Sequence, residues 1–209
     1  MSRIIKFQLL IVIVMFFITH NGFAQPATKK APMVKLSEGV QKVLDTRKDL
    51  VQKEIAENPA VIEKVKEYND KNKNLSLREI QKIDEEWIAS KKGITDFMKE
   101  FLTGPIAEFL ISFQESQEGF AEIFITDAKG LNVAMTNKTS DYLQSDEDWW
   151  VKCYADGQGL SYYGDIEYDE SAMAESIPVF VPIKDPQDNK VIGVIKAVID
   201  ITAIQRELK

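Results

Sequence analysis

The chain has 209 residues, 28% of them charged, and a formal net charge of −7. Acidity without a basic stripe excludes a nucleic-acid or anionic-lipid binder. With one cysteine, Cys153, there is no internal disulfide, and the single histidine is His20.

The first 24 residues set the compartment. "MSRIIK" is short and positive, "FQLLIVIVMFFI" is apolar, and "HNGFAQ" supplies Gly22 and Ala24. That order reads as a secretory signal cut after Ala24. The run from Phe7 to Ile18 falls short of the roughly 20 residues a membrane helix needs, so an uncleaved anchor is the secondary reading. Cleavage removes Arg3, Lys6 and His20, which takes the charge from −7 to −9 and leaves no histidine. A Ser-His-Asp triad, a Cys-His pair and a His-based zinc site are then disfavoured. Cys153 reads as a packing thiol. The expected location is periplasmic or secreted.

Residues 25–33, "QPATKKAPM", read as a linker, and residues 34–92 as a helical extension. Val40, Val43, Leu44, Val51 and Ile55 fall near one helical face. In "ENPAVIEKV", Asn58 caps a second helix with Pro59 at its first position. "SLRE" at 76–79 is a capping box that opens a helix carrying Ile80, Ile83, Trp87 and Ile88. Beyond it, Ile94, Phe97, Met98, Phe101 and Leu102, then Ile106, Phe109, Leu110 and Phe113 past Gly104-Pro105, make an apolar stripe that needs a covering partner.

From residue 120 the period changes from helical to alternating. "AEIFITD" and "LNVAMTN" read as strands joined by "AKG". "SDEDWWVKCYADG" reads as a short helix with Ser145 and Asp148 as its capping pair and Gly157 as its stop; "GLSYYGDIEYDESA" reads as an irregular loop. "ESIPVFVPIKD" and "KVIGVIKAVIDI" are strands across the turn "DPQDN". Helices come first and strands later, which implies an α+β fold, an antiparallel sheet with long helices packed along one face.

This ordered set, over roughly residues 94–204, resembles a Cache sensor domain, an extracytoplasmic relative of PAS domains. Residues 93–209 are therefore assigned to a Cache-like sensor domain. Amino-acid-binding members carry a Tyr, then an Arg, then a Trp-Tyr pair on the short helix, later a Tyr-x-Asp and a last-strand Asp. The resemblance lays these on Tyr142, Trp149, Trp150, Tyr163, Asp165 and Asp200. The Arg position falls on Glu147, a departure, because a glutamate repels the carboxylate that an arginine holds in a two-pronged bond.

The residues themselves lead to a similar place. Adjacent helical residues point about 100° apart, so Trp149 and Trp150 cannot share an environment. Strand alternation puts Lys196 and Asp200 on one face among apolar residues, where a buried charge needs a partner. The candidate ligand-binding set is Tyr142, Glu147, Trp149, Trp150, Tyr163, Asp165, Lys196 and Asp200, with no catalytic residue, metal or cofactor. Carboxylates beside aromatic faces suit an amine; an amino acid fits if Lys196 replaces the missing Arg as a point charge. "GDIEYDESAMAE" is rich in oxygen but lacks the spacing of a calcium loop.

The leading expectation is a small-molecule sensor module that acts through a separate protein partner, with the N-terminal helices as its docking or homodimerising surface. The competing expectation is an adaptor of the same fold that binds no small molecule. An enzyme is the weakest, since no nucleophile–base pairing is recognisable.

Overall fold

The computed structural model describes residues 36–91, 93–169 and 174–209. The signal and linker expectations fall on residues 1–35, outside the described residues, and the acidic run considered for calcium falls partly outside them. Val34–Lys209 form one compact unit.

Local signals start the helices. Helix α1 (Glu38–Val51) begins where the Ser37 hydroxyl accepts from the Val40 amide at 3.3 Å. It runs on into a π-helical turn, Gln52–Ala56, that the periodicity did not anticipate. Helix α2 (Pro59–Asn72) is capped by Asn58, whose Oδ1 accepts from the Ala60 amide at 2.9 Å. Helix α3 (Leu77–Ala89) opens on the Ser76/Glu79 capping box. The long apolar stripe divides at Gly104-Pro105 into α4 (Asp96–Leu102) and α5 (Pro105–Ser116), since proline suits only the first turn of a new helix.

Six strands follow among the described residues: β1 (Phe120–Asp127), β2 (Asn132–Met135), β3 (Tyr162–Tyr163), β4 (Glu167–Asp169), β5 (Ala174–Lys184) and β6 (Val191–Asp200). They form one antiparallel sheet in the order β2-β1-β6-β5, with β3 and β4 both paired to the outer side of β5. The fold is α+β, as expected. Two expectations are corrected here. "GLSYYGDIEYD" is not wholly irregular, because β5 is long enough to template two short strands beside it. The last strand ends at Asp200, and Ile201–Glu207 turn into a terminal helix, α7.

The sheet has two unlike faces. Ile123, Ile125, Ile177, Val179, Val181, Ile183, Ile195, Ala197 and Ile199 point one way and are all fully buried. They share a continuous core with Val43, Leu44, Val51 and Ile55 of the first helical stretch, Val61 and Val65 of α2 and Leu110 of α5. Each of these valines, leucines and isoleucines contributes about 1.5–3 kcal/mol by leaving water. On the other face Phe124, Lys196 and Phe180 stand side by side across β1, β6 and β5. Its helical cover is the short helix α6 (Asp148–Tyr154).

The turn between β1 and β2 steers the chain toward that second face. Gly130 has φ +78°, and a Cβ there would sit 2.5 Å from Cβ of Ser145, so glycine is required twice over. Gln144 N donates to Gly130 O at 2.8 Å, and Leu131 bridges to Leu143, which braces the segment just before α6. Ser145 is therefore a packing residue, and the expected Ser145/Asp148 capping pair is corrected: α6 starts at Asp148, with Glu147 at the N-cap position and no side-chain cap.

Candidate functional site

A hollow of about 210 Å³ lies between the second sheet face, the start of α6 and the segment before it; the described residues lining it include Asp141, Gln144, Glu147, Trp149, Glu167, Phe180 and Lys196. Two larger grooves, of about 510 and 560 Å³, open between helices and loops. Leu75, Leu77, Ile80, Trp150 and Val151 make the first mostly apolar. The smaller hollow is the better candidate, because three carboxylates, an ammonium and an indole meet there.

The floor is built by register. Lys196 sits in mid-strand on β6 between Phe124 and Phe180. Trp149 stacks on Phe180, with ring centroids 5.1 Å apart and planes at 14°, and meets the edge of Phe124 at 5.9 Å. Lys196 Nζ lies 5.7 Å from the Trp149 ring and 3.7 Å from Glu167 Oε1. Tyr162 props the arrangement: its hydroxyl donates to Trp149 O at 2.9 Å while its ring packs against Phe180 at 4.7 Å.

The helical layer holds the wall. Asp84 of α3 accepts from the amides of Tyr142 and Leu143 at 2.7 and 3.0 Å, and Trp87 Nε1 donates to Thr139 O at 2.9 Å. Asn132 Nδ2 donates to Thr139 Oγ1 and to Asp141 O. The segment that carries Asp141 and Gln144 is thus pinned from two sides. Gln144 Nε2 donates to the Asp141 carboxylate. Burial pushes the Asp141 carboxyl above the usual range; hydrogen bonds from Ser140 and Gln144 oppose the shift, and the charges of Asp84 and Glu147 add to it.

Three of the expected residues, Glu147, Trp149 and Lys196, come together in this lining. Glu147 stands on the rim, exposed, at the start of α6. The other five do not line it, and each placement has a physical reason. Tyr142 is buried with Trp87, Phe97 and Phe101, ring centroids 5.5–5.7 Å away, and serves the helical core. Trp150 turns from Trp149 along the helix, donates from Nε1 to Thr126 Oγ1 at 2.9 Å and stacks on Tyr154. Tyr163 pairs with Val179 and so points to the helix side, with Lys48 Nζ 5.9 Å from its ring. Asp165 is exposed between β3 and β4. Asp200 lies four residues, about 13 Å of strand, from Lys196, and its carboxylate caps α7 by accepting from the Thr202 amide at 2.7 Å.

The lining also holds Asp141, Gln144, Glu167 and Phe180, which the sequence reading passed over. Alternation along "IPVFVPIKD" was a usable signal for Phe180, and D-x-T at 200–202 for the Asp200 cap. In "SYYGDIEYD" the residues that reach the hollow's side are Tyr162, whose neighbour Tyr163 points to the helix side, and Glu167, two residues beyond the exposed Asp165. Cys153 is buried beside this face, and burial pushes its thiol up to about 12, as fits a packing residue.

No family model and no curated protein matches the chain. Among solved structures it is similar to the Escherichia coli DcuS sensor domain, at 14% identity and TM-score 0.49, covering 81% of this chain and 97% of that one. It is also similar to the ligand-binding domain of the Campylobacter jejuni chemoreceptor Tlp3 in complex with L-valine (16% identity, TM-score 0.37, 80% of this chain and 64% of that one). A third is the Vibrio cholerae histidine kinase DctB sensor domain (15% identity, TM-score 0.37, 79% and 59%). The chain thus spans less than two thirds of the chemoreceptor and kinase domains. These neighbours are sensor and ligand-binding domains; their ligands are theirs, and likeness at this level does not transfer them.

Proposed function

We propose that the protein is a Cache-type sensing module, exported by its N-terminal signal, whose hollow holds a small molecule bearing an amine. One observation carries the reading: the carboxylates of Asp141, Glu147 and Glu167 gather with the Trp149 indole around a space of about 210 Å³. An ammonium group donates charge-assisted hydrogen bonds to carboxylates, and an indole face adds about 0.5–2 kcal/mol of cation–π attraction. The space equals roughly seven waters at about 30 Å³ each, which suits a ligand of a few heavy atoms. An amino acid is the nearest variant, with Lys196 meeting its carboxylate as a point charge. The leader sequence supports an extracytoplasmic location, and no helix among the described residues is long and apolar enough to cross a membrane. A protein partner, or a second copy, would dock on the helical layer of residues 38–89.

A second reading rests on a specific observation: Lys196 already meets Glu167, and Asp141 already meets Gln144. A lining satisfied in this way also suits an adaptor that binds no small molecule. Thermal denaturation of the purified protein with ethylamine, alanine or acetate separates the two. A true ligand raises Tm with concentration, by the equivalent of about 2.7 kcal/mol at a hundredfold excess over Kd. The expected result is a response to ethylamine that Trp149→Ala and Glu147→Ala abolish. No response to any of the three favours the adaptor, and a response to acetate alone overturns the amine assignment.

A further inference from the structure

We infer that Glu167 sets the charge preference of the hollow, pairing with Lys196 so that a ligand is selected for its ammonium and against a carboxylate. The inference rests on the binding reading above and narrows the ligand class within it, to amines over their α-carboxylated counterparts.

Lys196 is unusual in its place. It stands in the middle of a central strand, between two phenylalanines that cannot solvate an ammonium, with Trp149 over it. Its side chain is only 16% exposed, so water does little for it, and a charge so placed needs an anion. Glu167 supplies one from β4, while remaining 48% exposed itself. The contact is asymmetric: the cation is sheltered and fixed by the sheet, whereas the anion sits on a short outer strand.

That asymmetry has a consequence for recognition. With Glu167 present, three carboxylates among the described residues face the Lys196 ammonium across the lining, and that cation is already engaged. A ligand carboxylate has to compete with Glu167 for Lys196 while Asp141 and Glu147 repel it. A ligand ammonium is repelled by Lys196 in its turn, but it meets three carboxylates, two of which, Asp141 and Glu147, form no ion pair with a cation among the described residues. Replacing Glu167 with glutamine removes one negative charge and loosens the hold on Lys196, which reverses both effects at once.

Ethylamine and alanine differ by one carboxylate and form the matched pair for the test. In calorimetric titration the wild-type protein should bind ethylamine more tightly than alanine. Glu167→Gln should shift the affinity ratio toward alanine by about fivefold, the upper end for a half-exposed ion pair whose 3.7 Å separation is too long for a hydrogen bond. Glu167→Asp, one methylene shorter, should give an intermediate shift in the same direction and keeps the test open if the glutamine variant folds poorly. Adding Lys196→Met to Glu167→Gln should erase the gain for alanine. Tighter binding of alanine by the wild type, or an unchanged ratio in folded Glu167 variants, overturns the inference and leaves the binding reading standing. Failure of both probes to bind any of these proteins overturns both.

Discussion

The two faces of the sheet obey different rules. On the helix side nine aliphatic residues of β1, β5 and β6 are fully buried and continuous with the cores of α1, α2 and α5. On the other side the same strands present Phe124, Thr126, Lys196 and Phe180 to one short helix and the segments around it. One face is dry and supplies stability. The other carries groups that cost free energy to bury, such as the Lys196 ammonium, and holds them around a space. A surface that retains such groups where aliphatic packing was available is the better place to look for function. The dry face still serves it indirectly, because Asp84 and Trp87 of α3 fix the backbone that presents Asp141.

The largest effect should come from breaking that link on the dry side. Trp87 is buried against Phe97, Phe101 and Tyr142 and donates to Thr139 O at 2.9 Å. Trp87→Ala should cost about 3–5 kcal/mol, through the cavity and the lost bond. For a domain of ordinary stability, about 5–15 kcal/mol, that is a large share of the total. Urea denaturation measures it, and a loss under about 1 kcal/mol would mean that the helical layer does not hold the site wall.

How much of this could be seen in the sequence depends on the range of the forces involved. The Ser76/Glu79 box and the Asn58-Pro59 start were legible because each is closed within a few residues. Alternation along Val191–Asp200 was legible because strand geometry has period two. The parity of Tyr162 and Tyr163 was not, because pairing with Phe180 and Val179 of β5 decides it. Glu167 and Lys196 lie far apart in the chain and meet only once β4 has joined β5. Trp149 and Trp150 were separable in principle from helical geometry, but which one faced the hollow depended on where α6 landed. Asp200 does end the last strand as the alternation implies, but its carboxylate is held by the local cap of α7, four residues from Lys196, and does not line the hollow.

The adjacent tryptophans allow a finer cut through the comparison. Trp150 sits on the second face, but its role resembles that of the first. Trp150→Phe keeps an aromatic ring but a smaller one, and loses the Nε1 bond to Thr126 Oγ1. The Thr126 hydroxyl still donates to Val194 O at 3.2 Å, so nothing buried is orphaned. The expected loss is about 1–3 kcal/mol, from the bond and the space the smaller ring leaves, with ligand response unchanged. A lost response with unchanged stability would move the site to the Trp150 side of α6, toward the apolar groove.

The smallest effect should appear in pH dependence at Asp141. Burial raises its folded-state pKa above the unfolded value, so the protonated form is the one that folding favours. Its contribution to stability is therefore fully present below the unfolded pKa and is lost as pH rises through the folded one. Binding runs the other way, because an ammonium ligand needs the ionised carboxylate. Amine affinity should therefore fall, as pH is lowered, at a higher pH than an ordinary aspartate would give. Glu79, Glu100, Asp185 and Asp188, all held below the usual carboxylate range, lose stability on acidification and would mask Asp141 in the whole protein. The difference between wild type and Asp141→Asn cancels them. Relative to the variant, the wild type should lose stability as pH rises through the Asp141 pKa while its affinity for ethylamine increases. A flat difference in stability would mean that the carboxyl is solvated, and a flat difference in affinity would remove Asp141 from the ligand's contacts and leave Glu147 and Glu167 to hold the charge.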